Sequence, residues 1–187
     1  HVAQRRGLPR FRTEQPPYSI LARGIETSVL PVCQRLGMGV LVWGPLASGF
    51  LTGRYRTDRP ADLSTGRPAI NPGRFDPSLP VTAAKLEVVE ELAGLADSVG
   101  CSLPELAVAF TVAHPGVTSA IIGPRTMEQL TALLKGASLA LSDDVLDRID
   151  EIVPPGTNVY PPDGAWSPPV LADAARRRRP LSERAAG

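Results

Sequence analysis

The apolar run Gly39-Val40-Leu41-Val42-Trp43 constrains the fold more than any other feature of the chain. Glycines bound it and no polar residue interrupts it, which is typical of a strand buried on both faces in a parallel sheet. A β-branched run at residues 117–122 predicts another strand, and prolines within residues 12–20 favour a short extended segment that turns into a loop. Parallel strands need long crossover connections, so helices should lie between them.

The intervals between these segments do carry helical periodicity. Apolar spacing predicts a helix over residues 25–36, with Pro31 as a kink or restart and Gly37 as its end. Four more helices are predicted at residues 83–99, from Ser102 with a Glu105 capping box to about His114, from Thr126, and from Ser142. Strands alternating with helices indicate a parallel α/β architecture.

Length and composition narrow the class of protein. The 187 residues suffice for one good-sized domain, and 43% hydrophobic with 21% charged residues exclude collagen-like, mostly disordered and membrane-spanning chains. The formal net charge is +1, and five arginines follow Pro154, so the body is slightly acidic. We therefore expect neither a nucleic-acid nor a membrane partner for the folded part.

Cysteine and histidine are sparse. Cys33 and Cys101 lie far apart in sequence, which indicates a reducing compartment, and we expect a cytoplasmic protein. With two cysteines and two histidines, no metal site is expected. The chain begins at His1 without a signal-peptide hydrophobic region, so we expect either processing or a piece of a longer protein.

Two stretches show neither helical nor strand periodicity in their apolar residues. Residues 44–80 are rich in Gly, Pro, Arg and Asp, and such a stretch within a domain is either disordered or a functional lid. Beyond Pro154 the chain is proline-rich and reaches the run Arg176-Arg177-Arg178-Arg179, which we interpret as a mobile tail. These arginines leave open an interaction with RNA or an acidic surface.

Ligands of parallel α/β proteins bind where strands end and loops lead into helices. The first such junction is Trp43-Gly44-Pro45-Leu46-Ala47-Ser48-Gly49, followed by Arg54. An aromatic side chain can stack on a flat ring, glycines let backbone amides approach phosphates, and arginine supplies a positive fork. The alternative is that Trp43 belongs to the core and the glycines only form turns.

The second junction is Gly123-Pro124-Arg125, followed by the helix from Thr126. Free N–H groups at a helix start bind anions, and Arg125 would suit a phosphate monoester such as the 2′-phosphate of NADP. The alternative is structural, because Thr126 and Gln129 also form a plausible capping box.

Four motifs, in this order and spacing, resemble the aldo/keto reductases, and most closely the branch that includes bacterial general-stress reductases and potassium-channel β-subunits. The resemblance covers about residues 1–156. It is carried by Glu14-Gln15-Pro16-Pro17-Tyr18-Ser19, by Gly39-Val40-Leu41-Val42-Trp43-Gly44-Pro45-Leu46-Ala47-Ser48-Gly49, by Leu51-Thr52-Gly53-Arg54-Tyr55, and by Ile121-Ile122-Gly123-Pro124-Arg125-Thr126-Met127-Glu128-Gln129-Leu130.

The resemblance implies both a fold and an activity. The family fold is a (β/α)8 barrel, and this chain would hold its C-terminal portion: about three β/α units and a C-terminal helix within residues 1–156, then a disordered tail at 157–187. The family transfers hydride from NADPH to an aldehyde or ketone. The chain would be the C-terminal half of such a reductase, since a complete barrel has about 250 residues.

The resemblance also implies which residues hold NADP(H). Gln15 would hydrogen-bond the nicotinamide carboxamide, and Trp43 would stack on the nicotinamide ring. The pyrophosphate would run along residues 44–48, next to Gly49, and Arg54 would replace a family lysine that contacts phosphate. The loop at residues 53–80 would fold over the cofactor, with Arg67 or Arg74 as its phosphate-binding arginine.

At the other end of the cofactor, Gly123, Arg125 and Gln129 would surround the adenosine 2′-phosphate. The chain departs from the family at Ala132-Leu133, where an acid and an asparagine usually hold the adenine. Neither of those two hydrogen bonds is expected here.

No catalytic residue is predicted in this chain. The aspartate, tyrosine, lysine and histidine that complete the family's site lie upstream of this sequence, so we expect the isolated chain to be inactive. Half a barrel would also leave open sheet edges, and we expect poor stability alone. Two other functions stay open: a non-catalytic module that senses NADP or binds a partner, and an RNA- or acidic-surface-binding role of the arginine tail.

Overall fold

The computed structural model describes residues 2–164, 169 and 173–183. Its strands form one small parallel sheet in the order β1 (Thr13–Glu14), β2 (Gly39–Trp43), β3 (Ser119–Ile121). Leu41 lies opposite Ser119, and Trp43 lies opposite Ile121. The predicted parallel α/β architecture is confirmed for this sheet, with the apolar run as its central strand.

Helices fill the intervals between strands. The α-helices are α1 (Val2–Arg6), α2 (Val29–Leu36), α3 (Gly66–Ile70), α4 (Pro80–Ser98), α5 (Leu103–Ala113), α6 (Met127–Ala137), α7 (Asp143–Ile152) and α8 (Ala174–Arg177). Short 3-10 segments are Gly24–Thr27, Ala47–Thr52, Pro72–Arg74, Pro161–Gly164 and Leu181–Glu183. Within the described residues, only the pair α4 and α5, bent by 92°, has the length and apolar composition of a membrane span, and no single helix has.

The helix predicted over residues 25–36 is divided in two. The break between Gly24–Thr27 and α2 falls at Ser28, while Pro31 sits in the first turn of α2, where a missing N–H removes no intrahelical bond. Gly37 ends α2 in the left-handed conformation, with φ of 61°. The predicted end of the helix is therefore confirmed, and the predicted kink is displaced.

Helix α5 begins with the predicted capping box. The backbone N–H of Ser102 donates to Oε2 of Glu105 at 2.7 Å. Helix α6 then packs closely against α5, since a Cβ on Gly136 would lie 2.8 Å from the backbone of Glu105. The two helices that precede and follow β3 are thereby fixed to one another.

The sheet is buried on one face only, which corrects the expectation for β2. Val40 and Val42 are completely buried, whereas Trp43 at the end of the strand is 43% exposed. Side chains alternate along a strand, so Leu41 and Trp43 share the less buried face. In the described part of the chain, helices α2 and α5 pack against the sheet without enclosing that face.

A buried ionic network joins the two ends of the domain. Arg23 is 4% exposed, and its guanidinium donates to Glu26 at 2.9 Å, to Asp150 at 2.7 Å and to the carbonyl of Val153 at 2.6 Å. The hydroxyl of Tyr18 donates to the same Glu26 at 2.6 Å. Helix α7 and the segment after β1 therefore meet through one cation.

Residues 157–164, called the strap below, pack on the body instead of starting a disordered tail. The backbone N–H of Arg23 donates to Thr157 at 2.8 Å, and that of Val159 donates to Leu21 at 3.0 Å. The side chain of Asn158 accepts a hydrogen bond from Gly24 at 2.8 Å. The expectation of disorder is therefore wrong for residues 157–164, while the domain boundary at 156/157 stays a prediction.

Eleven of the 23 remaining residues of the predicted tail fall outside the described residues, namely 165–168, 170–172 and 184–187. Its described part includes α8 and the 3-10 segment Leu181–Glu183. Asp173 accepts a hydrogen bond from Ala175 at 2.9 Å and pairs with Arg176 at 3.2 Å. These contacts are local, so they do not test the expected mobility of the tail.

The substitution Arg23→Met should lower the free energy of unfolding by roughly 3–5 kcal/mol, because it leaves the buried carboxylate of Glu26 without its cation. The matched control is Arg148→Met, since Arg148 pairs with Glu151 on the surface and is 51% exposed. For Arg148→Met, the free energy of unfolding should fall by less than about 1 kcal/mol. Equal urea midpoints for the two variants would contradict this role of Arg23.

Candidate functional site

A cleft of about 780 Å³ opens at the carboxyl ends of β2 and β3. Its walls come from four separate parts of the chain: the end of β2 and the loop after it, α3, the start of α5, and the segment from β3 into α6. The lining residues are Trp43, Gly44, Pro45, Leu46, Ser48, Gly49, Thr52, Arg54, Tyr55, Gly66, Arg67, Ile70, Pro104, Ile121, Ile122, Gly123, Pro124, Arg125, Gln129, Ala132 and Leu133.

Trp43 and Ile121 form the floor of the cleft. They are paired in the sheet, and each is 43% exposed. The backbone of Trp43 is fixed on the other side by its N–H donating to Pro16 and its carbonyl accepting from Tyr18, both at 3.1 Å. Trp43 is thus not a core residue, and its indole is available to stack on a planar ring.

The loop after Trp43 contains four residues whose backbone has the left-handed conformation. Gly44 and Gly49 have φ of 74° and 106°, and Ala47 and Ser48 have φ of 48° and 61°. Left-handed residues other than glycine are strained and are enriched at functional sites. No atom lies within 4 Å of where a Cβ on Gly44 would stand, so the space beside this backbone is open to a ligand.

Three arginines line the cleft without a carboxylate partner. Arg54, Arg67 and Arg125 are exposed, and within the described part of the chain none of them forms an ion pair. Among the residues that the structure describes, the lining contains no Asp or Glu. An uncompensated charge of three guanidinium groups favours a polyanionic ligand such as a dinucleotide with a phosphate monoester.

The loop at residues 44–80 is ordered, so the alternative of disorder is wrong. It contains α3 and two 3-10 segments, and the ring of Phe50 stacks on that of Phe75 with centroids 4.9 Å apart. Glu90 of α4 anchors the loop by accepting from Arg56 Nε at 2.7 Å and from the backbone N–H of Thr57 at 2.8 Å. The Arg56 hydrogen bond lowers the pKa of Glu90 to about 2.

At the second junction the structure shows the capping of the helix by Thr126, while the anion-binding role stays a prediction. Thr126 accepts from the N–H of Gln129 at 3.2 Å, and Oε1 of Gln129 accepts from the N–H of Arg125 at 2.8 Å. The cap by Thr126 is therefore confirmed, whereas the side chain of Gln129 bonds to Arg125 and not to the N–H of Thr126 that a capping box would use. Gln129 still lines the cleft, with its amide nitrogen left for a ligand.

Two of the predicted binding residues lie elsewhere. Gln15 is exposed beside β2 but outside the lining of the cleft, and Ala47 lines a smaller neighbouring pocket. Of the two arginines considered in the long loop, Arg67 lines the cleft, whereas Arg74 lines the smaller pocket and pairs with Asp163. The structure thus brings Arg67, and not Arg74, to the cleft.

The residues of the wall that sequence reasoning did not predict as binding residues include Pro104 and Ile70. Pro104 stands in the first turn of α5, and Ile70 ends α3 with 85% of its surface exposed. Neither position carries a chemical signal in the sequence.

Comparisons with known proteins show the family of the chain. The family model of the aldo/keto reductases matches residues 2–154. The chain belongs to the aldo/keto reductase family. It is 32% identical over 171 residues to the uncharacterized oxidoreductase YrpG of Bacillus subtilis, covering 88% of this chain and 47% of that protein. It is 34% identical over 143 residues to a probable voltage-gated potassium channel subunit beta of Arabidopsis thaliana, covering 75% and 43%.

A solved structure is also similar to this chain. The glycerol dehydrogenase AKR11B4 from Gluconobacter oxydans matches with a TM-score of 0.67 and 26% identity, covering 83% of this chain and 47% of that one. The chain therefore spans about half the length of the relatives that it matches. The α/β fold with its parallel sheet is shared with that part of the family.

The substitution Glu90→Gln should flatten the pH dependence of stability at acid pH. The folded pKa of Glu90 lies near 2, below its ordinary value of 4.5, so the carboxylate stabilises the fold above pH 4.5 and loses that effect as pH falls toward 2. Urea denaturation at pH 7 should show the variant less stable, and the two curves should converge near pH 2. Glu91→Gln, in the next position, is the control. If the free energies of unfolding of Glu90→Gln and of the unsubstituted chain changed in parallel with pH, the role of Glu90 in holding the loop would be refuted.

Proposed function

We propose that the chain is the C-terminal, cofactor-binding portion of an NADP(H)-dependent aldo/keto reductase and forms part of a (β/α)8 barrel. One observation carries this proposal: Trp43, Arg54, Arg67 and Arg125 line one cleft, and no carboxylate is among its described lining residues. A planar stacking surface and three positive charges match the ring and the phosphates of NADPH. Family membership supports the reaction class.

The cleft residues fit the parts of this cofactor. Trp43 would hold the nicotinamide, the open turn from Gly44 to Gly49 together with Arg54 and Arg67 would hold the pyrophosphate, and Arg125 would hold the 2′-phosphate. Ala132, Leu133 and Pro104 offer an apolar surface to the adenine instead of hydrogen bonds. When bound, the cofactor supplies a hydride to the carbonyl carbon of an aldehyde or ketone.

Of the three tyrosines, Tyr160 lines neither the cleft nor the smaller pocket, and Tyr18 and Tyr55 are not suited to donate the proton that this reaction needs. Tyr18 is 1% exposed, and its hydroxyl is bound to Glu26. Burial and this contact raise the pKa of Tyr18 far above its ordinary value, which opposes proton transfer near neutral pH. Tyr55 is 7% exposed within an aromatic cluster with Phe50 and Phe75. We therefore propose that the chain alone binds NADPH without reducing carbonyls.

The same observation favours a second candidate, a module that binds NADP and a partner without turnover. The curated relatives include proteins named as potassium channel beta subunits. Adding polypeptide that carries the missing acid-base residues would discriminate the two: restored NADPH oxidation with an aldehyde supports the reductase. The RNA-binding role of the tail and the cytoplasmic location stay predictions.

The substitution Arg125→Leu should weaken the binding of NADPH more than the binding of NADH. We expect the Kd for NADPH to rise about tenfold and the Kd for NADH to change less than twofold, because only NADPH carries the 2′-phosphate. Quenching of tryptophan fluorescence measures both. Arg35→Leu, which removes an exposed arginine at the end of α2 away from the cleft, should leave both values unchanged. Equal losses for both nucleotides would exclude a 2′-phosphate site at Arg125.

A further inference from the structure

One end of the cleft, beyond the start of α6, is lined by apolar side chains. Helix α6 contributes Ala132 and Leu133, and the first turn of α5 contributes Pro104. The two helices are in close contact, since a Cβ on Gly136 would lie 2.8 Å from the backbone of Glu105, the residue directly after Pro104. These three lining residues therefore lie together, and we call them the apolar wall.

The apolar wall stands where the base of a bound dinucleotide would lie. In the proposed function, Arg125 holds the 2′-phosphate, and the base is attached to the same ribose as that phosphate. The side chain of Gln129 lines the cleft and accepts from the N–H of Arg125 at 2.8 Å. The step of three residues from Gln129 to Ala132 is about 4.5 Å along the axis of α6. A base one sugar ring away from the phosphate therefore reaches the apolar wall.

The polar side chains described at this end of the cleft offer donors to a ligand. The guanidinium of Arg125 has only N–H groups, and Oε1 of Gln129 is already used by the backbone N–H of Arg125, which leaves the amide nitrogen. The carboxylate beside the apolar wall, Glu105, does not line the cleft. Its oxygens accept from the N–H of Ser102 at 2.7 Å and pair with Lys135 at 3.0 Å. No carboxylate among the described residues is thus available to a base here.

Adenine and hypoxanthine differ only in groups that need such an acceptor to be told apart. The C6 amino group of adenine donates and its N1 accepts, whereas the C6 carbonyl of hypoxanthine accepts and its N1–H donates. A site selects adenine strongly when a buried acceptor is left unpaired by the other base. Both purines have the same fused rings, so an apolar surface contacts them equally.

We propose, on the basis of the proposed function, that the cleft does not select the base of its dinucleotide and accepts hypoxanthine as well as adenine. Ala132 is the position that determines this tolerance. It is half-buried and lines the cleft, whereas Leu133 is only 5% exposed. Binding then depends on the nicotinamide at Trp43 and on the phosphates at the arginines.

The test titrates the full chain with NADPH and with deamino-NADPH, the analogue in which hypoxanthine replaces adenine. Quenching of tryptophan fluorescence gives both Kd values, and we expect them to agree within about twofold. A Kd for deamino-NADPH about tenfold or more above that for NADPH would overturn base tolerance and leave the proposed function standing. No saturable quenching by either nucleotide would overturn both.

The substitution Ala132→Glu then locates the base. Its carboxylate supplies an acceptor for the C6 amino group and repels the C6 carbonyl, so this variant should bind deamino-NADPH about tenfold more weakly than NADPH. Thr131→Glu is the control, because it adds the same charge at an exposed position outside the lining of the cleft. Its two Kd values should agree within about twofold. Circular dichroism checks the fold of both variants, and equal Kd values in Ala132→Glu would overturn the inference.

Discussion

The register between β2 and β3 determines where every functional group of this chain lies. Thr118 holds that register, because its Oγ1 accepts from the N–H of Val40 at 3.0 Å and its own N–H donates to the same residue at 2.9 Å. Trp43 is thereby placed beside Ile121, and the turn after β2 reaches the same edge as the start of α6. A slip of one residue would move Trp43 to the buried face and separate the arginines from their stacking surface.

Ionic contacts over long sequence separations complete the arrangement. Arg23 joins the segment after β1 to α7 across 127 residues, and the strap follows directly from that junction. The strap in turn places Asp163 between Arg74 of the long loop and Lys85 of α4. The cleft depends on the sheet and on Glu90, whereas the smaller pocket beside it depends on the strap. Trp43 lines both of these cavities.

Local physical signals made much of this predictable from the sequence. The apolar run, the glycine after α2 and the capping box of Ser102 act within a few residues, and the motifs around Trp43 and Arg125 identified most of the cleft. The strap was missed because no periodic pattern accompanies hydrogen bonds between residues more than 100 positions apart, such as Gly24 and Asn158. One-sided burial of β2 was missed because an apolar run does not reveal how many layers cover it.

Backbone hydrogen exchange with and without NADPH tests the central claim most directly, since it reports on the cleft without requiring turnover. Bound NADPH should slow exchange in residues 44–54 and 123–129 together, while α7 on the far side of the Arg23 network should exchange unchanged. Protection of both segments at a saturating concentration is the predicted result. Unchanged exchange in both segments at the same concentration would contradict the account of a cofactor cleft built by this chain.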